Sequence, residues 1–234
     1  MLLLKPLEPF AAGGNRWCYV HPDDSAQCVK IRRPDFTVAQ RRASKGFPKN
    51  LKPLSSFDDN LDEYKVMQNF VRYYDDYIFA HVSRCYGYVD TDMGAGLCSE
   101  LVRDSNGDIS VSLKQYLWEY GYTDNSRAAV AQLCEHWLDY SLPSRDLILH
   151  NVVVQRNVAE DGEASIRRLV VIDGMGSSGI VPAHWMPKSY QVAKARRKVE
   201  NLCQRIAELL ADREHGRGPG MHGFLFHKGR DVPS

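Results

Sequence analysis

An α+β chain in two lobes is what this sequence predicts, and three observations predict it. Short β-prone runs and a single amphipathic helix fill the first hundred or so residues, and helical periodicity dominates the remainder. Within that second part, two apolar runs at 151–154 and 169–172 flank the polar turn Glu160-Asp161-Gly162-Glu163, the pattern of a hairpin. The 234 residues suffice for two small lobes with a substantial core. The expected division is 1–102 for an antiparallel sheet with one helix and 103–213 for a mainly helical lobe with the hairpin at the cleft. Residues 214–234, rich in glycine, histidine and proline, read as a flexible tail.

The first lobe opens on a hairpin. Trp17-Cys18-Tyr19-Val20 and Cys28-Val29-Lys30-Ile31 are β-prone, and His21-Pro22-Asp23-Asp24 between them is turn chemistry. The stretch 32–53, with Arg32, Arg33, Arg41, Arg42, Lys45, Lys49 and Lys52, reads as an exposed basic loop with one short helix. Asp58, Asp59 and Asp62 mark a helix start, because carboxylates favour the positive end of the helix dipole. Behind them Tyr64, Met67, Phe70, Val71 and Tyr74 recur at helical spacing, which predicts an amphipathic helix over 60–77. Strands at 85–89 and 97–102 come next, joined by the turn Asp92-Met93-Gly94-Ala95-Gly96. The second lobe begins after Asn106-Gly107-Asp108. Helices are expected around Leu113–Tyr120, over 126–140 and over 188–213, with the hairpin before the last of them. Trp17, Trp118, Trp137 and Trp185 are expected in core or cleft packing, and the histidines as surface or satisfied core residues.

Composition excludes several classes. With 44% hydrophobic and 25% charged residues the chain is a folded one, and a net charge of +1 argues against a dedicated nucleic-acid binder. The start, Met1-Leu2-Leu3-Leu4-Lys5-Pro6, lacks the apolar core of a signal peptide, and no run of about 18 apolar residues occurs anywhere. A soluble, cytoplasmic protein without membrane insertion is expected. Its six cysteines stand apart, with no C-x-x-C pair, so neither a zinc site nor a disulfide framework is expected.

Chemistry is concentrated in Ser144-Arg145-Asp146-Leu147-Ile148-Leu149-His150-Asn151, where an Asp precedes by five residues an Asn that opens an apolar strand. The returning strand ends in Ile172-Asp173-Gly174. A hairpin brings the chain back to its start, so Asp146, Asn151 and Asp173 are expected to converge. Phosphoryl transfer needs such a set: a carboxylate to orient and deprotonate an acceptor hydroxyl, and hard oxygen ligands for Mg2+ beside a triphosphate. The pattern resembles the catalytic loop and the metal-binding aspartate of protein kinases. Aspartate fills turns and caps everywhere, so the set carries the reading and no single member does.

The first lobe adds to it. Lys30 stands in a strand where a kinase-like fold places the lysine that touches the α- and β-phosphates of ATP. Gly13 and Gly14, in Ala11-Ala12-Gly13-Gly14-Asn15-Arg16, resemble a reduced glycine-rich loop. Glu63, in the first turns of the 60–77 helix, is the natural partner for the Lys30 ammonium, since a strand lysine buried in a cleft is costly without one.

The segments Gly13–Asp23, Cys28–Ile31, Tyr86–Asp92 and Leu101–Gly107 resemble the bacterial PhoP regulatory network protein family (YrbL type), over most of residues 8 to 210. That family belongs to the protein-kinase-like superfamily, so the resemblance implies a two-lobed kinase-like fold with ATP and Mg2+ in the cleft. On that reading the base lies against the connector at Glu100, Leu101 and Val102, Lys30 and Glu63 serve the phosphates, Asn151 and Asp173 bind magnesium, and Asp146 orients the acceptor. Departures bear on the substrate. Ser144 replaces the usual histidine, Ile148 stands where protein kinases carry a lysine, and no Ala-Pro-Glu segment comes after Asp173-Gly174-Met175-Gly176. The short glycine- and serine-rich loop to Val181 offers little platform for a peptide and suits a small acceptor. The expected function is Mg-dependent phosphotransfer to a small molecule or an unidentified protein. The alternatives are a catalytically silent nucleotide-binding regulatory or scaffold protein of a bacterial stress or signalling network, and a kinase-like enzyme that transfers AMP.

Overall fold

The computed structural model describes every residue except 14, 34–36, 44, 45, 48, 52, 161, 163, 177–184, 221, 222 and 226–234, and the side chains of 41, 49, 55 and 56. The chain forms two compact units, one built from Met1–Tyr74 and Arg84–Leu101, the other from Asp75–Ser83 and Val102–Asp231. One unit is a sheet with a covering helix, and the other is mainly helical with a hairpin.

The first unit is a five-stranded sheet in the order β1-β2-β3-β5-β4, with every neighbouring pair antiparallel. The strands are β1 (Ala11–Ala12), β2 (Arg16–His21), β3 (Asp24–Arg32), β4 (Cys85–Thr91) and β5 (Gly94–Glu100). Alternation along β3 sorts its side chains. Val29 and Ile31 join Leu4 and Tyr19 in a fully apolar cluster on one face, while Cys28 and Lys30 point to the other. Gly96 is required on the apolar face, because a methyl group there would collide with Val29 and lie 2.7 Å from Ile31 Cδ1. The basic stretch holds a short helix, α1 (Val38–Ala43), as expected.

Helix α2 (Asp59–Tyr73) starts where the acidic residues predict: the Asp58 carboxylate accepts from the Asn60 and Leu61 amides at 3.1 and 3.3 Å. Its inner face differs from the expected one. Asn60, Glu63, Met67 and Phe70 are buried, whereas Val71 is 65% exposed. The helix also ends earlier than 77. Tyr74 is extended, and a short 3-10 turn, Asp76–Ala80, comes after it.

The second unit comprises α3 (Leu113–Tyr120), α4 (Asp124–Tyr140), the hairpin β6 (Val152–Val158) and β7 (Ala164–Val171), and α5 (Lys188–Glu214). Ser112 and Thr123 cap α3 and α4. Leu117 of α3, Leu133 and Trp137 of α4 and Leu202 of α5 have no exposed surface. Val102, Val153 and Val170 pack with Ile172 beneath the hairpin. The hairpin strands run longer than their apolar runs, with Val152 opposite Val171 and Val158 opposite Ala164. Asp104 has a fully buried side chain. It accepts from Arg156 Nε at 2.8 Å, the Arg156 amide at 2.9 Å and Ser110 Oγ at 2.7 Å. The segment Asp75–Ser83 lies on β7, with the Ser83 amide donating to the Val171 carbonyl and the Val171 amide to the His81 carbonyl, at 3.0 and 2.8 Å. Beyond α5, the Ser112 hydroxyl donates to the Gly223 carbonyl, and Lys114 lies over the Phe224 ring. Trp185 is 73% exposed, contrary to the packing expected of it, because it stands in a short turn ahead of α5. Among the described residues no helix is long and apolar enough to cross a membrane.

Candidate functional site

Five side chains singled out by the sequence fall into two clusters, one in each unit. In the second unit α4 ends on Ser141, the one described non-glycine residue with a left-handed backbone, which turns the chain sharply into the loop. Leu142, Leu147 and Leu149 plug the loop into the core with 1%, 1% and 7% exposure, and this anchoring leaves Asp146 at the surface. A 3-10 turn, Leu149–Asn151, then delivers Asn151 to the mouth of β6.

The segment after β7 is knitted to this loop. The Gly174 carbonyl accepts from both the Arg145 and Asp146 amides, at 2.8 and 3.1 Å, and the Gly176 amide donates to the Pro143 carbonyl at 2.9 Å. Asn151 Nδ2 donates to the Asp146 carbonyl at 3.0 Å, and the Ile172 amide to the Asn151 carbonyl at 2.9 Å. Asp173 Oδ1 accepts from the Gly174 amide at 2.6 Å. Lys198 of α5 donates to the Arg145 carbonyl, which ties the loop to the last helix. Asp146, Asn151 and Asp173 are therefore brought together, as the hairpin argument requires. The donor set suits a hard cation. Committing Nδ2 to the Asp146 carbonyl leaves Oδ1 as the Asn151 atom that could face a cation, and Asp173 adds a half-buried carboxylate. Among the described residues no group of three or more His, Cys, Asp or Glu could hold an ion. One amide and one carboxylate would suit Mg2+, which keeps waters and draws further ligands from phosphates.

In the first unit the pairing Cys18–Lys30–Leu97 sets Lys30 in the middle of the sheet, on the face that α2 covers. Its Nζ meets Glu63 Oε1 at 2.6 Å, with 7% and 9% of the two side chains exposed. Two partners were not foreseen. Arg16 Nη1 donates to Glu63 Oε2 at 2.5 Å and to Asn60 Oδ1 at 3.1 Å, and Asn60 Nδ2 donates to the Lys30 carbonyl at 2.9 Å. A signal for Arg16 existed: it lies two positions before Cys18, on the face of β2 that Lys30 occupies on β3. Beside Lys30, burial pushes the Cys28 thiol up, and its sulfur stands 3.4 Å from Ser99 Oγ.

The remaining expected site residues contribute backbone. The Gly13 amide donates to the Arg16 carbonyl at 2.9 Å in a tight turn; Gly14 lies outside the described residues, as does the loop from 177 to 181. The Glu100 amide bonds the Arg84 carbonyl, the Leu101 amide bonds the Ala26 carbonyl, and the Val102 carbonyl accepts from Ser110. Those backbone groups are thus already engaged. Ser144, which replaces the kinase histidine, is 1% exposed, and its hydroxyl has no hydrogen-bond partner.

Residues 2–207 match the family described as PhoP regulatory network protein YrbL. The protein YrbL of Escherichia coli (strain K12) is 26% identical over 191 residues, which cover 79% of each chain, and the YrbL of Shigella flexneri matches to the same extent. Among solved structures, Rad53 in complex with AMP-PNP superposes over 89% of this chain and 51% of its own, at 13% identity and a TM-score of 0.48. The PknI kinase domain of Mycobacterium tuberculosis superposes over 89% of this chain and 94% of its own, at 13% identity and a TM-score of 0.41.

Proposed function

We propose, from the premise that the chain belongs to the PhoP regulatory network protein YrbL family, that it binds Mg-ATP and transfers a phosphoryl group to a hydroxyl of a small molecule or a protein. The observation that supports this best is the knot in the second unit. Gly174, Asp146 and Asn151 hold one another by backbone and amide hydrogen bonds, so an acid and two oxygen donors are fixed at one place before any ligand arrives.

In this reading Lys30, held by Glu63, would meet the α- and β-phosphates. Asn151 and Asp173 would hold the cation. Bound magnesium supplies charge neutralisation for the triphosphate. The exposed Asp146 carboxylate would take the hydroxyl proton as the acceptor oxygen bonds the γ-phosphorus and the bond to the β,γ-bridging oxygen breaks, releasing ADP. The test is γ-phosphate release and transfer by the wild type and by Asp146→Ala, across small hydroxylated acceptors and proteins. Loss of turnover by about a hundredfold or more is expected for a missing general base; equal rates would remove Asp146 from the mechanism.

A second reading, a nucleotide sensor without chemistry, draws support from Ser144. A buried serine with an unpartnered hydroxyl cannot take the part of the histidine it replaces. Mg-ATP binding with no turnover on the same acceptor panel favours the sensor.

A further inference from the structure

The four hydrogen bonds around Lys30 close into a ring. Arg16 Nη1 donates to Glu63 Oε2 at 2.5 Å; Glu63 Oε1 accepts from the Lys30 amine at 2.6 Å; the Lys30 carbonyl accepts from Asn60 Nδ2 at 2.9 Å; and Asn60 Oδ1 accepts from Arg16 Nη1 at 3.1 Å. The ring therefore grips Lys30 at both ends, by its backbone and by its ammonium. All four residues are at most 9% exposed.

A lysine alone is a poor pointer. Its ammonium is a point charge on a stem with four rotatable bonds, and a single carboxylate partner can swing about its own terminal torsion. Arginine corrects both faults. The guanidinium is planar, and the two N–H bonds of one terminal nitrogen diverge at a fixed angle. Here one of them reaches the Glu63 oxygen that Lys30 does not use, and the other reaches Asn60. Because each Glu63 oxygen then has its own cationic donor, the plane of the carboxylate is set, and with it the direction of the Lys30 amine.

We infer that Arg16 is a positioning residue for the nucleotide site, acting through Glu63 to aim Lys30 and working in concert with Asn60. The inference rests on the phosphate role proposed above for Lys30, but its mechanical part stands in the nucleotide-free chain. Arg16 and Asn60 also make the alignment of Lys30 independent of nucleotide, because the ring is complete within β2, β3 and α2.

The test uses the full chain and Mg-AMP-PNP, with Arg16→Met, Lys30→Met and the double variant. A positioning residue acts only through the group it positions. Arg16→Met is expected to weaken Mg-AMP-PNP binding about tenfold, and to weaken it no further once Lys30 is already Met. Losses that multiply in the double variant overturn the inference, since they would mean an independent effect on the fold. Wild-type affinity in Arg16→Met overturns it as well. If Arg16→Met does not fold, Asn60→Ala breaks the same ring with every charge retained; unchanged affinity there is equally decisive against it. A separate arm needs no nucleotide: the rate at which an amine-acetylating reagent labels Lys30, read by mass spectrometry. Slow labelling in the wild type and labelling several-fold faster in Arg16→Met is the expected result, with equal rates overturning the mechanical claim. A wild type that fails to bind Mg-AMP-PNP would defeat the proposed function, and the labelling arm would still decide the role of Arg16.

Discussion

At Gly174 the backbone φ is +78°, and a methyl group would run into the Asp146 carbonyl and lie 2.7 Å from Asn151 Nδ2. Both neighbours belong to the knot, so neither can yield without moving an expected site residue. Gly174→Ala is expected to cost about 2 kcal/mol or more, from the left-handed backbone and the collision together. It should also reduce Mg-ATP affinity in the fraction that stays folded. Urea denaturation and a nucleotide titration of the same preparation check both. The residue was legible in the sequence as part of Ile172-Asp173-Gly174, but its reason was not. The atoms that exclude a side chain there belong to Asp146 and Asn151, on the far side of the whole hairpin in chain order. Arg16, Asn60 and Asp104 were hidden for the same cause. Each owes its burial to a partner distant in the chain, and each looks like a surface residue in its local context.

Elements were better legible than single residues, because periodicity is a local property. The start of α2 was readable from Asp58, Asp59 and Asp62, whereas its buried face was not. Apolar side chains alone suggested Val71 and Tyr74, but the face is built from Asn60, Glu63, Met67 and Phe70, and two of these are polar. A helix that buries a carboxylate misleads any count of apolar positions. The packing of Asp75–Ser83 beside α4 carries a pH prediction. The His81 and His136 rings lie 4.8 Å apart; His81 Nδ1 is 2.8 Å from the Leu169 carbonyl; and His136 Nε2 is buried without a partner. Burial pulls both imidazoles down from the ordinary value of 6.5. The Leu169 carbonyl partly offsets this at His81, which His136 and Arg168 depress further; the Ile78 backbone, Asp139 and Asp75 partly offset it at His136, whose ring also lies near Tyr77 and Tyr140. Because the folded state disfavours the charged forms, the unfolded chain takes up more protons as pH falls below 6.5. This contribution to stability is complete above that value and declines as pH falls towards the depressed folded values. Melting temperature should drop from pH 7 to pH 5, and His136→Phe should flatten the slope. A wild-type curve with no slope in that window rules the effect out.

For the whole molecule, the proposed function predicts an effect of ligand on stability. Magnesium with AMP-PNP at a hundredfold excess over its Kd should stabilise the chain by about 2.7 kcal/mol, and EDTA should abolish most of that gain. Asp173→Asn, which removes a carboxylate from the donor set, should weaken the magnesium dependence more than the binding of nucleotide alone. A thermal shift that ignores the cation would count against Asn151 and Asp173 as its ligands. The order of strands and helices was legible from the sequence at this scale, since turn chemistry and periodicity punctuate it. What linear reading could not reveal is that Asp75–Ser83 leaves the first unit and lies with the second before the chain returns at Arg84.

That excursion constrains how the gene can be cut. A fragment ending after β5 would carry Ile78, Phe79 and Val82, which are at most 7% exposed in the intact chain, with no β7 to receive them. Its complement, beginning at Val102, would lack the strip that lies on the outer edge of its own hairpin. Neither half-protein is a self-sufficient piece. Recombining this chain with a relative by a single crossover at residue 101 would pair every hairpin with a strip selected for a different one.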